Sequence, residues 1–270
     1  MTRRSRTLLR GIGWTLAFLL VTALTQVGGL AVLVAGRFAR TGVGRGALAF
    51  MASYVLLLAV VAPGIAYQQG RVPLPCLGLR ADGLLPATPL TCLLGRNYVA
   101  PHVRQELMEL QRAMRLRNPD SRTSYLDAGF PIGGMPMLPH LSHRDGLKVD
   151  LAFSYPGGSV PSPVGYWIYE APTSDEPMPC LGVPSLLRWD LAWLQSRLGR
   201  PWDPERTGAA IRWLAGRESV DRILLEPHLA ARLGLAGPPV RFQGCRAARH
   251  DDHYHVAFRP TRSPTARPER

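Results

Sequence analysis

Lysine is almost absent from this chain. Lys148 is the single one among 32 basic residues, which face 19 acidic ones, so the formal net charge of +13 is carried by arginine. The arginines are spread along the whole sequence with no aromatic-basic repeat and no recognisable binding motif. That argues against a nucleic-acid partner and leaves a surface suited to anionic lipid or cell-wall polymer. No internal repeat occurs, and cysteine is limited to Cys76, Cys92, Cys180 and Cys245. Histidine is scarce as well, with seven residues in 270, which makes its distribution informative.

Five of the seven histidines fall in the ten residues 140–143 and 250–255, where even scattering would place about 0.26. Clustering of this kind points to metal or proton chemistry. Leu147, Val149, Leu151 and Phe153 alternate with Lys148, Asp150 and Ala152, the period of a strand with one face in the core. Asp150 then stands on the polar face. Tyr254, Val256 and Phe258 alternate in the same way with His253, His255 and Ala257. In each strand a ligand-type residue is followed two places later by alanine, which leaves room for a metal above the sheet.

Zinc prefers nitrogen, oxygen or sulfur donors in a tetrahedron, and a catalytic site keeps three protein ligands with water at the fourth position. His143, Asp150 and His255 supply that set. His253, one strand repeat from His255, is free to handle protons. Two plainer readings stand beside this one: histidines that cap loops or bond within a core, and a structural zinc site closed by a fourth ligand. Cys245, five residues before His250, is the candidate for that fourth place. Lys148 shares the Asp150 face and would meet a substrate carboxylate, or else lie on the rim with its stem on apolar surface. Asp145, Asp251 and Asp252 could orient imidazoles from behind, or be solvated. His102 and His228, at two helix starts, read as surface or capping residues.

The spacing His-x6-Asp with a late His-x-His resembles the fold group of lysostaphin-type peptidases, D-Ala-D-Ala metallopeptidases and the hedgehog signalling domain. The longer signature at His140, His143, Asp150, His250, His253 and His255 is most similar to the penicillin-insensitive murein endopeptidase family. Gly129 to Gly134 before the first motif and Ser219 to Pro227 before the last helix extend the likeness, which covers roughly residues 100–259 in patches. The resemblance implies Zn2+ held by His143, Asp150 and His255, with His253 and His250 as catalytic or transition-state-stabilising residues. It leaves the role of His140 open. The implied activity is hydrolysis of peptidoglycan cross-link peptides at a bond involving D-Ala. A D-Ala-D-Ala carboxypeptidase and a non-enzymatic, membrane-tethered zinc protein binding wall peptide are the alternatives. The Pro/Gly-rich stretch 154–184 and the apolar N-terminus depart from that family.

Residues 1–70 read as a membrane anchor. Segments 12–36 and 46–67 contain no charge, and each is long enough to cross a bilayer core of ~30 Å. A cleaved signal peptide is the competing reading of the first, against which stand the length of its apolar run and the lack of a clear small-x-small cleavage site. Two crossings would return the C-terminal domain to the side of the N-terminus. Arg3, Arg4, Arg6, Arg10, Arg71 and Arg80 would then lie on one side and Arg37, Arg40 and Arg45 on the other. The positive-inside tendency so favours a cytoplasmic domain, whereas peptidoglycan lies outside the bacterial cytoplasmic membrane. The chemistry places the catalytic domain outside against that count, and a first segment that is re-entrant or does not span would reconcile them.

Residues 71–100 read as a linker, 101–259 as an α+β zinc peptidase domain and 260–270 as a disordered tail. Val103, Leu107, Leu110 and Met114 predict a helix that Asn118-Pro119 ends. Leu187 to Leu198 predicts a second and Asp203-Pro204 opens a third. These helices should cover one face of a small, mainly antiparallel sheet and leave the zinc face open. Residues 155–184 carry a strand-like run, Tyr166 to Tyr169, and read as a groove wall or an edge hairpin. An even set of four cysteines beyond the membrane segments suits Cys76 with Cys92 and Cys180 with Cys245. Four cysteines allow three pairings, and four reduced thiols remain an alternative.

Overall fold

The computed structural model describes residues 3–78, 83–185, 187–188, 201–235 and 237–261. Three apolar helices lead. Helix α1 spans Arg3–Thr25, α2 spans Gly28–Ala39, and α3, Val43–Leu56, continues through a π turn, Leu57–Val61, into α4, Ala62–Gln68. Two stretches are long and apolar enough to cross a membrane, Leu8–Thr25 and Val43–Gln68, and only 6% of the apolar window in each is buried inside the protein. The first apolar segment, expected as one span over 12–36, is instead two helices. Gln26 has a φ of 63°, a conformation that ends a right-handed helix, and its side-chain amide bonds both the N–H and the carbonyl of Ile132 at 2.8 Å.

The rest is α+β. Strand β1, Val72–Pro73, pairs antiparallel with β3, Tyr98–Val99. The main sheet takes β2 (Leu84–Pro86), β4 (Thr123–Tyr125), β5 (Lys148–Ala152), β6 (Val220–Leu224), β7 (Val240–Arg241) and β8 (His253–Phe258) in the order β2-β4-β5-β8-β6-β7. Its four central strands are antiparallel, and the two outer pairs are parallel. Residues 71–100, expected as a linker, thus contribute strands together with helix α5, Pro89–Leu93. Leu74 and Leu84 are fully buried in the main core, which ties that stretch to the domain.

Helix α6 occupies Pro101–Arg117, beginning on a proline whose missing N–H costs nothing in a first turn and stopping before Asn118-Pro119. Helix α7, Pro204–Ala215, is capped by Asp203, whose side chain accepts the Arg206 N–H at 2.9 Å. A short helix, α8, covers Pro227–Arg232. Val103, Leu107 and Leu110 of α6 and Ile211 and Leu214 of α7 share one core with Val149 and Leu151 of β5 and Tyr254, Val256 and Phe258 of β8. The apolar residues of both central strands therefore belong to the same core as the two helices. The helix expected over Leu187 to Leu198 falls mostly outside the described residues, as does the tail from 262.

Both suggested disulfides form, Cys76–Cys92 with Cα atoms 6.0 Å apart and Cys180–Cys245 at 5.1 Å. Cys245 is therefore no metal ligand. On the chain-entropy account the two closed loops constrain the unfolded state by about 3 and about 4 kcal/mol.

Candidate functional site

The polar faces of β5 and β8 meet in register. Asp150 lies opposite His255 and Ala152 opposite His253, so each bulky imidazole faces a shorter neighbour. His140 and His143 come from the turn before β5, where the His143 N–H donates to the His140 carbonyl at 3.1 Å and the rings lie 5.5 Å apart. His250 enters from the loop before β8. Its backbone N–H reaches the Glu226 carboxylate at 3.2 Å, and Glu226 is itself clamped by Arg188 at 2.8 and 3.1 Å.

Four histidines from distant parts of the chain so converge on the Asp150 carboxylate, and His250 packs beside two of them. His140, His143 and Asp150 form a group that could hold a metal ion. Nε2 of His143 lies 3.3 Å from Asp150 Oδ1 and 3.1 Å from His255 Nδ1, and His255 Nδ1 lies 2.8 Å from the same oxygen. Nε2 of His253 is farther off, 3.7 Å from Oδ1. The His250 ring packs 5.1 Å from that of His253 and 5.9 Å from that of His255.

Hydrogen bonds behind the rings fix their tautomers. His143 Nδ1 donates to the Ala128 carbonyl at 3.0 Å, which leaves a lone pair on Nε2 pointing at Asp150 and His255. The next residue, Gly129, lies close against β3, and a Cβ there would be 2.7 Å from the Tyr98 carbonyl. Asp252 accepts from His253 Nδ1 at 2.5 Å and holds the Trp167 N–H with its other oxygen at 2.6 Å. Asp252 thus links the His253 ring to the backbone of residue 167. Asp251 is engaged differently, bonded to Arg249 through both carboxylate oxygens. Lys148 pairs with Asp145, and Asp145 also caps the Leu147 N–H at 3.0 Å, so this pair serves the turn before β5 rather than the cluster. His102 bonds the Arg259 carbonyl near the surface, as its position suggested. His228 does not stay on the surface. It is buried, with Nε2 2.7 Å from the Glu170 carbonyl.

Burial sets the electrostatics. His143 and Asp150 are each 1% exposed, His253 5% and His255 6%, so the expectation of an open face is corrected. Residues 155–185 fold over the site as an irregular segment, neither strand nor hairpin. Tyr166 donates its hydroxyl to Asp150 Oδ2 at 2.8 Å, and Glu170 donates its N–H to the Asp251 carbonyl. Burial opposes charge on Asp150, but the adjacent His143, His253 and His140 outweigh it and hold the carboxyl well below its usual range. For His140, burial is likewise overcome by Asp150 and Asp127, each 3.1 Å from Nδ1, and its pKa rises to about 10. His255 moves the other way, down to about 4, because burial outweighs its bond to Asp150. Burial and the neighbouring His253 and His255 push His250 well below the normal histidine value. His253 is raised, with Asp252 and Asp150 overcoming the effect of burial.

Three groups at the site have no motif to reveal them. Asp127 joins Arg96 at 3.0 Å and His140 at 3.1 Å, Tyr166 joins the Asp127 N–H to Asp150, and Glu226 anchors His250. Only the aromatic run around Tyr166 and its place between the two histidine segments hinted at any of them. No family model matches this chain, and no curated protein matches it.

Proposed function

We propose that the chain is a zinc metallopeptidase that cuts the cross-link peptides of murein at a bond involving D-Ala, as its motif spacing suggests. One observation carries the reading. His143 Nε2, Asp150 Oδ1 and His255 Nδ1 form a triangle with sides of 2.8, 3.1 and 3.3 Å, close to the ~3.3 Å edge of a tetrahedron with metal bonds of ~2.0–2.1 Å. With the His143 proton on Nδ1 and Asp150 ionised, these three atoms share at most one proton. Such a crowd of lone pairs suits a cation better than a hydrogen-bond network. His140 is the weaker ligand, because an imidazolium between two carboxylates has no lone pair to offer on Nδ1.

Bound zinc would supply a Lewis acid that polarises the peptide carbonyl and lowers the pKa of water. The chain's residues do the rest. Asp252 fixes the His253 ring and favours its charged form, so that Nε2 can take the proton of the attacking water and pass it to the leaving amine. His250, held neutral by its surroundings, offers a donor to the developing oxyanion. Tyr166, His140 and Asp127 orient Asp150 from behind. The substrate lies outside the cytoplasmic membrane, so the reading places the domain there.

The test is zinc content together with digestion of purified muropeptides by full-length protein in detergent. One zinc per chain and conversion of dimers to monomers, lost on chelation and restored by zinc, are expected. Release of terminal D-Ala alone would identify a carboxypeptidase, and bound zinc without hydrolysis a binding protein. Absence of zinc from protein refolded or dialysed with the metal would overturn the reading altogether.

A further inference from the structure

Exposed apolar side chains are concentrated on the leading helices. Leu16 and Leu20 of α1, Leu33 of α2, and Leu48, Met51 and Val55 of α3 all face outward, far more than a soluble surface tolerates in one patch. The helices form two antiparallel hairpins. Phe18 of α1 packs at Gly29 of α2 and Trp14 at Gly36, while a Cβ on Gly46 of α3 would lie 2.8 Å from that of Ala39.

One end of the bundle is fixed to the domain. Gln26 bonds Ile132, Arg96 donates to the Leu24 carbonyl at 3.2 Å, and Gln69, just past α4, accepts the Gly133 N–H at 2.7 Å. Chain direction then places Arg10, Arg37, Arg40 and Arg45 at the opposite end, with Arg3, Arg4 and Arg6 farther out on α1. Between these ends, Leu8–Thr25 rises about 27 Å at 1.5 Å per residue, near the thickness of a bilayer core. Helix α2, with 12 residues, rises about 18 Å, and arginine stems reaching to the interface extend that depth.

We infer that residues 3–68 form a three-helix unit embedded in an anionic bilayer, with its arginine-bearing end in the cytoplasm and the six-stranded domain on the extracytoplasmic face. Parity fixes the two sides. Helix α1 crosses once, and the α2–α3 hairpin leaves the domain side and returns to it at whatever depth it turns, so the N-terminus and the domain end on opposite sides. Seven arginines then lie toward the far side, whereas the 20 residues that follow α4 hold only Arg71 and Arg80. Arg71 is turned inward on the carbonyls of Phe130 and Arg144. The positive-inside tendency now agrees with an external domain. An independent feature points the same way, since all four cysteines form disulfides, which persist in oxidising compartments. None of this rests on the zinc reading, so either can fail alone.

The experiment uses the full chain with different epitope tags at its two ends, in intact bacterial spheroplasts treated with protease from outside. Complete loss of the C-terminal tag with the N-terminal tag preserved until detergent is added is expected, and the chain should stay with membranes through alkaline carbonate. Survival of the C-terminal tag, external cleavage of the N-terminal tag, or release by carbonate would overturn the inference. Acid-trapped protein should accept no maleimide-polyethylene glycol before reduction and four adducts after it. Four adducts without reductant would refute an oxidising location.

Discussion

Replacing His253 and His255 separately by alanine divides the metal from the proton chemistry. His255 Nδ1 belongs to the triangle of 2.8–3.3 Å sides, whereas His253 Nε2 stands 3.7 Å from Asp150 Oδ1 and has Asp252 bonded to its other nitrogen. Zinc held by protein ligands is worth on the order of 10–16 kcal/mol near neutral pH. An equal share for one of three ligands is about 3–5 kcal/mol, so His255→Ala should weaken zinc binding by roughly 10²- to 10⁴-fold. His253→Ala should leave zinc binding within about 10-fold, the lower end of effects from groups behind the ligands. It should still lower kcat by roughly 10²- to 10⁴-fold, the range for removal of a general base, equivalent to about 3–5.5 kcal/mol. Competition with a chromophoric chelator measures the first quantity, and muropeptide turnover at saturating zinc measures the second. Equal zinc loss in the two variants would refute the division of roles.

Tyr166→Phe removes a donor to Asp150 and an acceptor for the Asp127 N–H; zinc affinity should fall about 10- to 100-fold by the same titration, and an unchanged affinity would remove Tyr166 from the site. Gly129→Ala forces a Cβ to 2.7 Å from the Tyr98 carbonyl, so the backbone must shift where Ala128 holds His143; zinc loss and a thermal midpoint several degrees lower are expected, whereas wild-type values would show the approach to be loose. Glu176, bonded to Arg232, has its pKa lowered from 4.5 to about 2, mainly by that bond. A depressed folded-state pKa contributes stability above pH 4.5 and loses it as pH falls toward about 2. Amide exchange in residues 171–176, corrected for intrinsic rates, should therefore accelerate across that window, and Glu176→Gln should flatten the response.

Side-chain period and motif spacing made much of the domain legible. Alternation in Leu147 to Phe153 and Tyr254 to Phe258 needs no tertiary information, and it placed Asp150, His253 and His255 on one face of adjoining strands. Helices α6 and α7 announced themselves through Asn118-Pro119 and Asp203-Pro204, where local sterics and capping act within a few residues. The cover over the site was not legible in that way. Tyr166 meets the site through long-range bonds from irregular backbone, and irregular backbone has no period. Asp127 was hidden for the same reason, since a lone aspartate between a strand and a glycine-rich turn is more often solvated than paired with a buried arginine.

Hydropathy failed at a different point, the break in the first apolar segment. A window average registers that residues 12–36 lack charge but is blind to direction, and Thr25-Gln26-Val27 barely lowers it. Direction is decided instead by two bonds from the Gln26 amide to Ile132, more than 100 residues later. An apolar run that continued as one helix would leave Arg10 and Arg37 at opposite ends of it. The reversal at Gln26 returns Arg37 to the level of Trp14, on the same end as Arg10 and Arg45. The arginine count that opposed an external domain assumed two crossings, and the proposed three-helix unit turns on the reversal at this one residue. Gln26→Leu should therefore perturb the docking of the helices while leaving segment hydropathy higher than before. Loss of carbonate-resistant, protease-accessible protein in that variant would show that side-chain anchoring, and not apolar length, sets the number of passes; normal topology in the same variant would assign that control to the glycines of α2.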